Sequence, residues 1–253
     1  MIELAHISDL HFGTEDRHLA VTLAEELHRL APRLVVVSGD LTQRARRTQF
    51  AAARRYLDAL PGPLLVVPGN HDIPLYDVGR RIASPMGRYT RMITRALDPF
   101  HLDDDLAVLG LNTTRPWRWK EGSISQRQVT LIAERFAQAA SGAHRVLVTH
   151  HPFIPPADLP RTIVVHGQRE ALPAIRSAGV ELLLAGHLHV GYADLMKGGP
   201  GLLSVQAGTA ISRRRRGQPN AYNVVRLGGG NGVVVEPRVW DGARFAPSAP
   251  SAE

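Results

Sequence analysis

Short runs of Val, Leu and Ile alternate along this chain with stretches whose apolar residues recur every three to four positions. The runs IELAHI (2–7), LVVVSG (34–39), LLVV (64–67), LAVLGL (106–111), RVLVT (145–149) and VELLLAG (180–186) read as buried strands. Between the first two, Leu19, Leu23, Leu27 and Leu30 keep helical spacing over residues 17–31. TQFAAARRYLDAL (48–60) predicts a second helix with Thr48 as its N-cap, and residues 125–140 and 167–178 predict two more. Residues 75–105 read as short basic helices and a loop. After residue 186 the helical rhythm stops. YADLMK, GLLSVQAG, AYNVVRL and GVVVEPRVW are short strands separated by Gly-rich turns. The pattern is therefore a βα-alternating body closed by an antiparallel β section. Its continuous apolar strands imply sheets covered on both faces. No repeat or linker divides the body, so residues 1–244 are expected to form a single domain. The segment FAPSAPSAE (245–253), low in apolar content, is expected to be a disordered tail.

Composition narrows the class. A chain of 253 residues, 44% of them apolar, is long enough for a sizeable core. There is no Cys, which removes disulfides and thiolate metal sites from consideration. No apolar run approaches the roughly 20 residues of a membrane span. The opening MIELAHISDLHFG carries no secretory signal. The expectation is a soluble cytoplasmic protein with no membrane partner. The net charge of +7 suits an anionic partner such as a nucleotide or nucleic acid. However, every basic residue except Lys120 and Lys197 is Arg, beside abundant Ala, as a GC-rich genome would also produce. Both explanations stay open.

Polar residues change the picture, because they gather at the carboxyl ends of the expected strands. The third strand drives into LLVVPGNHDIP (64–74), where an amide, an imidazole and a carboxylate follow Gly69 in a row. Ser8-Asp9-Leu10-His11 follows the first strand, Gly39-Asp40 the second, His150-His151-Pro152 the strand at 145–149, and His187-Leu188-His189 the strand at 180–186. In open α/β sheets ligands bind at this end. Residues two apart in extended chain share a face, so Asp9 with His11, and His187 with His189, can each aim at one point. Gly39, Gly69 and Gly186 precede the candidates where the chain must turn tightly. Two Asp, one Asn and at least four His suit Mn, Fe, Zn, Co or Ni better than Ca or Mg. Seven candidates exceed one tetrahedral site and suit two adjacent metals sharing a carboxylate. A lone His at a strand end is usually a cap or surface residue, so His18, His28, His101 and His144 are set aside, and His166 is at most a rim residue.

Asp9-x-His11, Gly39-Asp40, Gly69-Asn70-His71-Asp72, His150-x-Pro152 and Gly186-His187-x-His189, in that order, resemble the calcineurin-like metallophosphoesterase superfamily over residues 2–210. The resemblance implies an α/β fold, a four-layer αββα sandwich of two mixed sheets flanked by helices, with a dinuclear site at the strand ends. It implies one metal on Asp9, His11 and His189, the other on Asn70, His150 and His187, with Asp40 bridging. Mn, Fe or Zn are the implied ions. His151 would stand behind His150, although the two could exchange roles. His71 resembles the family's non-ligand His, which faces the substrate phosphate and, as a cation, could protonate the leaving alkoxide. Asp72 is expected to be a turn residue. Two cations about 3.5–4 Å apart lower the pKa of a bridging water, whose hydroxide would attack phosphorus.

Departures from relatives narrow the expectation. Gln43 stands where purple acid phosphatases carry Tyr, and GDLTQRA and GNHD differ from the protein phosphatase motifs. The set looks most similar to the bacterial cyclic-nucleotide phosphodiesterase-like (class III) group. The function implied is hydrolysis of small phosphodiesters, cyclic nucleotides or related diesters. A DNA nuclease of the recombination-repair type is the alternative, and a non-catalytic scaffold a third. A homodimer is left open. Arg213–Arg216 reads as a solvated turn that could instead hold phosphate, and Arg80, Arg81, Arg88, Arg91 and Arg95 as a helix face or cleft wall. Trp117 and Trp119 are expected to pack within their loop rather than to stack a base.

Overall fold

Two six-stranded mixed sheets lie face to face in a computed structural model that describes residues 1–155, 164–195, 202–228 and 232–248. The first contains β1 (Ile2–Ile7), β2 (Leu34–Val37), β3 (Leu64–Val66), β10 (Ala221–Leu227), β11 (Val233–Trp240) and β12 (Phe245–Pro247), ordered β12-β11-β10-β1-β2-β3. The second contains β4 (Phe100–Leu102), β5 (Leu106–Leu111), β6 (His144–Thr149), β7 (Leu182–Ala185), β8 (Tyr192–Leu195) and β9 (Leu203–Gln206), ordered β4-β5-β6-β7-β9-β8. Strands β1, β2 and β3 run parallel, as do β5, β6, β7 and β9; the flanking strands pair antiparallel.

The side-chain period of two explains the layers. Leu4, Leu34 and Val36 of the first sheet meet Val108, Val146, Val148, Leu182 and Leu184 of the second in a shared inner core. Their neighbours Ala5, Ile7, Val35 and Val37 point the other way, under α1 (Arg17–Leu30) and α2 (Arg47–Asp58). Ala107, Leu109, Leu147 and Leu183 likewise pack under α5 (Gln126–Phe136) and α6 (Gln168–Ser177). The expected αββα order results. Each fully buried Leu or Val contributes about 1.5–3 kcal/mol, so these double-faced strands hold the strand ends firmly.

Three sequence expectations are corrected. Thr48 lies inside α2, whose N-cap is Arg46; the Gln49 side chain turns back to accept from the backbone N–H groups of Arg44 (2.9 Å) and Arg46 (3.3 Å). The closing β section is not uniformly antiparallel, because β9 joins β7 in parallel register. The tail does not begin at residue 245: Phe245 is buried against Tyr222 and Trp240, and β12 pairs with β11; residues 249–253 lie outside the described ones. Residues 75–105 do hold two short helices, α3 (Val78–Ala83) and α4 (Gly87–Met92), before β4. Among the described residues, no helix is long and apolar enough to cross a membrane.

Candidate metal centre

The layer between the sheets turns polar where the parallel strands end. His6, Ser8, Ser38, Gln206 and Asn223 are buried there, and His6 Nε2 meets Ser38 Oγ at 2.9 Å. Beyond them the loops are tied together by backbone bonds, Asp9 N–H to Gly39 O (3.1 Å), His11 N–H to Asp40 O (2.9 Å) and Gly186 N–H to His150 O (3.0 Å). The turns are tight. Among the described residues seven non-glycine residues have left-handed backbone, with φ between 46° and 74°, and five of them are Asp9, His11, Asp40, His187 and His189. Each costs of order 1 kcal/mol, and such strain collects where geometry serves a site. Gly39 and Gly69 are needed for proximity. At Gly39 (φ 102°) a Cβ would lie 2.6 Å from His150 Nδ1, and at Gly69 it would fall on the Asp40 carboxylate.

All seven sequence-predicted ligands converge. Asp40 Oδ2 lies 3.5 Å from His11 Nε2, whereas Asp40 Oδ1 lies 3.4 Å from His150 Nε2. One carboxylate therefore faces two separate groups. The first holds Asp9 Oδ1 at 3.5 Å from His11 Nε2 and 3.4 Å from His189 Nε2, with the two Nε2 atoms 3.4 Å apart. The second holds Asn70 Oδ1 at 3.2 Å from His150 Nε2 and 3.1 Å from His187 Nδ1. Ligands about 2.0–2.2 Å from one ion stand about 3.0–3.5 Å apart, so these spacings fit shared cations. Asp9 Oδ1 is buried with no hydrogen-bond partner among the described residues, a cost that a metal at Asp9 would remove.

The imidazoles are oriented from behind. His150 Nδ1–H donates to Ser38 O (2.8 Å). His189 Nδ1 lies 2.8 Å from Arg214 O and 2.7 Å from Thr209 Oγ1. Each bond leaves Nε2 bare and turned inward, the usual second layer of a metal site. Burial alone would push the Asp9 and Asp40 carboxyls up, yet the imidazoles, His189 foremost for Asp9 and His150 for Asp40, hold both below the usual range. Burial opposes charge on His150, but Asp40 overcomes it and raises that imidazole to about 9. Burial lowers His187 to about 3 and lowers His189 too. Two carboxylates facing one imidazolium leave a net negative cluster sealed from water, which divalent cations would neutralise while displacing the proton.

His151 sits behind this cluster, its Nδ1 2.8 Å from Thr113 Oγ1 and its ring 4.9 Å edge-on to His150. Of the pair, His150 is the one facing Asp40, but ring nitrogens of His150, His151 and His187 lie within 4.8 Å of one another and His151 Nε2 is buried without a partner among the described residues, so both alternatives stand. Asp72 ties the turn: its carboxylate accepts from the N–H groups of Leu41, Thr42 and Gly69 and from Thr42 Oγ1, all at 2.9–3.1 Å. Burial, then Asp40, raises it to about 6.

His71 lies at the mouth. Its backbone N–H donates to Asp40 Oδ1 (2.8 Å) and its Nδ1–H to Gln43 O (2.9 Å). Its Nε2 then accepts from Arg214 Nη1 at 2.7 Å. Burial lowers its pKa, which favours the neutral imidazole at rest, whereas the proton delivery considered from the sequence uses the cation. Arg214 is the residue sequence reasoning missed: four consecutive Arg give no signal of which one turns inward. Arg213, Arg215 and Arg216 are exposed, as a solvated turn requires, while Arg214 is half-buried.

Other expectations divide. Arg81 is buried and donates to the carbonyls of Pro74, Pro116 and Arg118, so it braces the loop instead of lining a cleft. Trp117 and Trp119 do not pack inward; they are 72% and 63% exposed. His166 lines a separate groove with Arg118 and Arg169. His28, His101 and His144 make structural bonds to Ala59 O, Asp103 and Glu181.

Comparison with known proteins gives the family. The profile of the family described as Calcineurin-like phosphoesterase matches residues 2–191. The glycerophosphodiester phosphodiesterase GpdQ of Enterobacter lignolyticus is 27% identical over 208 residues, covering 74% of this chain and 70% of that protein. A cAMP/cGMP dual specificity phosphodiesterase of Mycobacterium tuberculosis is 30% identical over 202 residues, again 74% of this chain but 61% of the relative's length. The crystal structure of a dimetal phosphatase from Danio rerio superposes with a TM-score of 0.65 at 15% identity, covering 94% of this chain and 96% of that one. The last likeness concerns the fold alone.

Proposed function

The chain belongs to the calcineurin-like phosphoesterase family, metal-dependent phosphoric ester hydrolases, and from that premise we propose that it is a dinuclear phosphodiesterase of small diesters, cyclic nucleotides or related ones. One observation carries the reading: the two oxygens of Asp40 face two different nitrogen and oxygen sets. Asp9, His11 and His189 would hold one ion, and Asn70, His150 and His187 the other, with Mn, Fe or Zn the ions that this donor set suits. Bound there, two such ions supply Lewis acidity for activating water and for clamping phosphoryl oxygens.

The chain's own residues do the rest. Asn70 Nδ2 donates to Trp119 O (3.4 Å), which turns the amide oxygen inward. Ser38 O, Thr209 and Arg214 O hold the imidazole tautomers. In the reaction a water oxygen bonds to phosphorus, one ester P–O bond breaks, and the departing alkoxide takes up a proton. At the mouth His71 Nε2 accepts from Arg214 Nη1 and so holds that guanidinium where it can meet phosphoryl charge before the reaction begins. A neutral His71 would have to gain its proton before passing one to the alkoxide.

The test is a substrate panel with Mn²⁺ added: bis-p-nitrophenyl phosphate, 3′,5′- and 2′,3′-cyclic nucleotides, glycerophosphodiesters and single-stranded DNA. Turnover of small diesters well above DNA is expected. Preference for DNA would replace this reading with the nuclease one, and no turnover of any diester would remove both.

A further inference from the structure

A cavity of about 150 Å³ opens beside Asn70 and His71, and its walls include Arg44, Trp119, Lys120 and Arg214. That is room for one arm of a small ligand. Three basic residues from three different loops line it. Among the described residues none of the three forms an ion pair with a carboxylate. Arg44 is held instead by the face of Tyr76, 5.5 Å from the ring centre. Arg214 rests on neutral acceptors, His71 Nε2 at 2.7 Å and Gln43 Oε1 at 3.4 Å. Its backbone is fixed: the carbonyl accepts from His189 Nδ1, and the N–H donates to Ser212 Oγ at 3.1 Å. The guanidinium is therefore placed by the metal centre's own scaffold.

The charges around Arg214 are unbalanced. Arg44 and Lys120 line the same cavity, and the acidic groups of the adjoining centre are Asp9 and Asp40, each 3.4–3.5 Å from its imidazoles. Those carboxylates are the ones that metals would neutralise. With the centre loaded, the cavity faces a ligand with three cations and no anion of its own. A phosphodiester brings one negative charge, and that charge goes to the metals.

Resting on the phosphodiesterase reading, we propose that Arg44 and Lys120, which line the same cavity as Arg214, form a second anion subsite, which takes a further phosphate or carboxylate carried by the substrate remote from the scissile bond. The preferred diesters are then those with a second anionic group, such as phosphorylated nucleotides, above singly charged ones.

The probes are adenosine 3′,5′-bisphosphate and adenosine 5′-monophosphate, used as competitive inhibitors of bis-p-nitrophenyl phosphate hydrolysis by the metal-loaded protein. The bisphosphate is expected to bind about tenfold more tightly. Arg44→Ser and Lys120→Ser should each bring the ratio of the two inhibition constants below about three. The ratio is internal to each variant, so a general loss of activity does not enter it. Equal inhibition constants in the unaltered protein overturn the proposal, as does an unchanged ratio in the double variant. If the cations serve a free anion instead, inorganic phosphate will bind together with either nucleotide and the ratio will stay near one, which also overturns it. If no diester is hydrolysed, the phosphodiesterase reading fails by itself. Calorimetric Kd values for the same two nucleotides then score the subsite separately.

Discussion

Charged residues crowd two places in this molecule, and they are treated oppositely. Along β10 and β11, Arg226 bonds Glu3 and Glu236 at 2.8 Å each, and Arg238 pairs with Glu26 and Glu236. Each charge there has an opposite neighbour and stays partly in water. At the strand ends of the candidate metal centre, Asp9 and Asp40 are buried and face imidazoles across 3.4–3.5 Å gaps without a hydrogen bond to Asp9 Oδ1. The first arrangement is complete as it stands. The second gains sense only from a further cation, because burying an uncompensated carboxylate is costly. Backbone strain follows the same division, since five left-handed non-glycine residues lie in the second region.

The sharpest way to break this contrast is Asp40→Ala. One carboxylate serves both groups, so the variant should lose both ions and all detectable phosphodiester hydrolysis. Elemental analysis showing about two metals per chain would refute the bridging role. Next in size is His71→Ala. His71 meets the ligand sets through its side chain only by an edge contact with the His11 ring (4.8 Å between centres), so both metals should remain, while activity falls about 10²–10⁴-fold. If the ring delivers a proton, the loss will be larger for poor alkoxide leaving groups than for p-nitrophenyl esters. Equal losses on both would assign it to positioning Arg214 toward the phosphoryl charge, the role that its neutral resting form favours.

Much of the candidate centre was legible in the chain because strand ends announce themselves. A run such as LLVV stops at Pro68-Gly69, and the side chains that follow must lie at the sheet's carboxyl edge. Alternation likewise separates the inner core from the outer ones, since Leu34 and Val36 point one way and Val35 and Val37 the other. What stayed hidden depends on long-range placement. The half-burial of Arg214 is set by its carbonyl bonding His189, 25 residues away in sequence. The strand at Phe245–Pro247 needs the groove around Tyr222 and Trp240 before its one aromatic residue has anywhere to go. Thr48 reads as a cap by residue type, but Gln49 reaches back past it.

A smaller effect is expected from Asp72→Asn, which asks whether the loops carrying Asp40 and Asn70 are held by charge. The carboxylate takes four donors, two on each oxygen. An amide offers one oxygen, so its NH₂ group must face N–H donors on the other side. Leaving these unsatisfied should cost about 2–4 kcal/mol of stability, read by urea unfolding of the metal-loaded protein. A loss below about 1 kcal/mol would show that the loops are held by the backbone bonds alone.

The smallest effect belongs to the other region, and it tests the contrast from its quiet side. Glu236→Gln removes a carboxylate shared by Arg226 and Arg238. Burial works against that charge, but the two guanidiniums, Arg226 first, hold its pKa below the ordinary glutamate value. A depressed carboxyl stabilises the fold above its unfolded pKa, and that contribution is lost as pH falls through the folded value. The variant should therefore be less stable than the parent by at most about 1 kcal/mol near pH 7, given solvent screening of partly exposed pairs. The gap should close below about pH 4 and shrink as salt rises toward 1 M. Metal content should not change at any pH where the parent keeps its own. If Glu236→Gln instead cost several kcal/mol, or altered the metal content, the paired edge would share the sealed electrostatics of the centre, and the division between a complete and an incomplete charge cluster would fail.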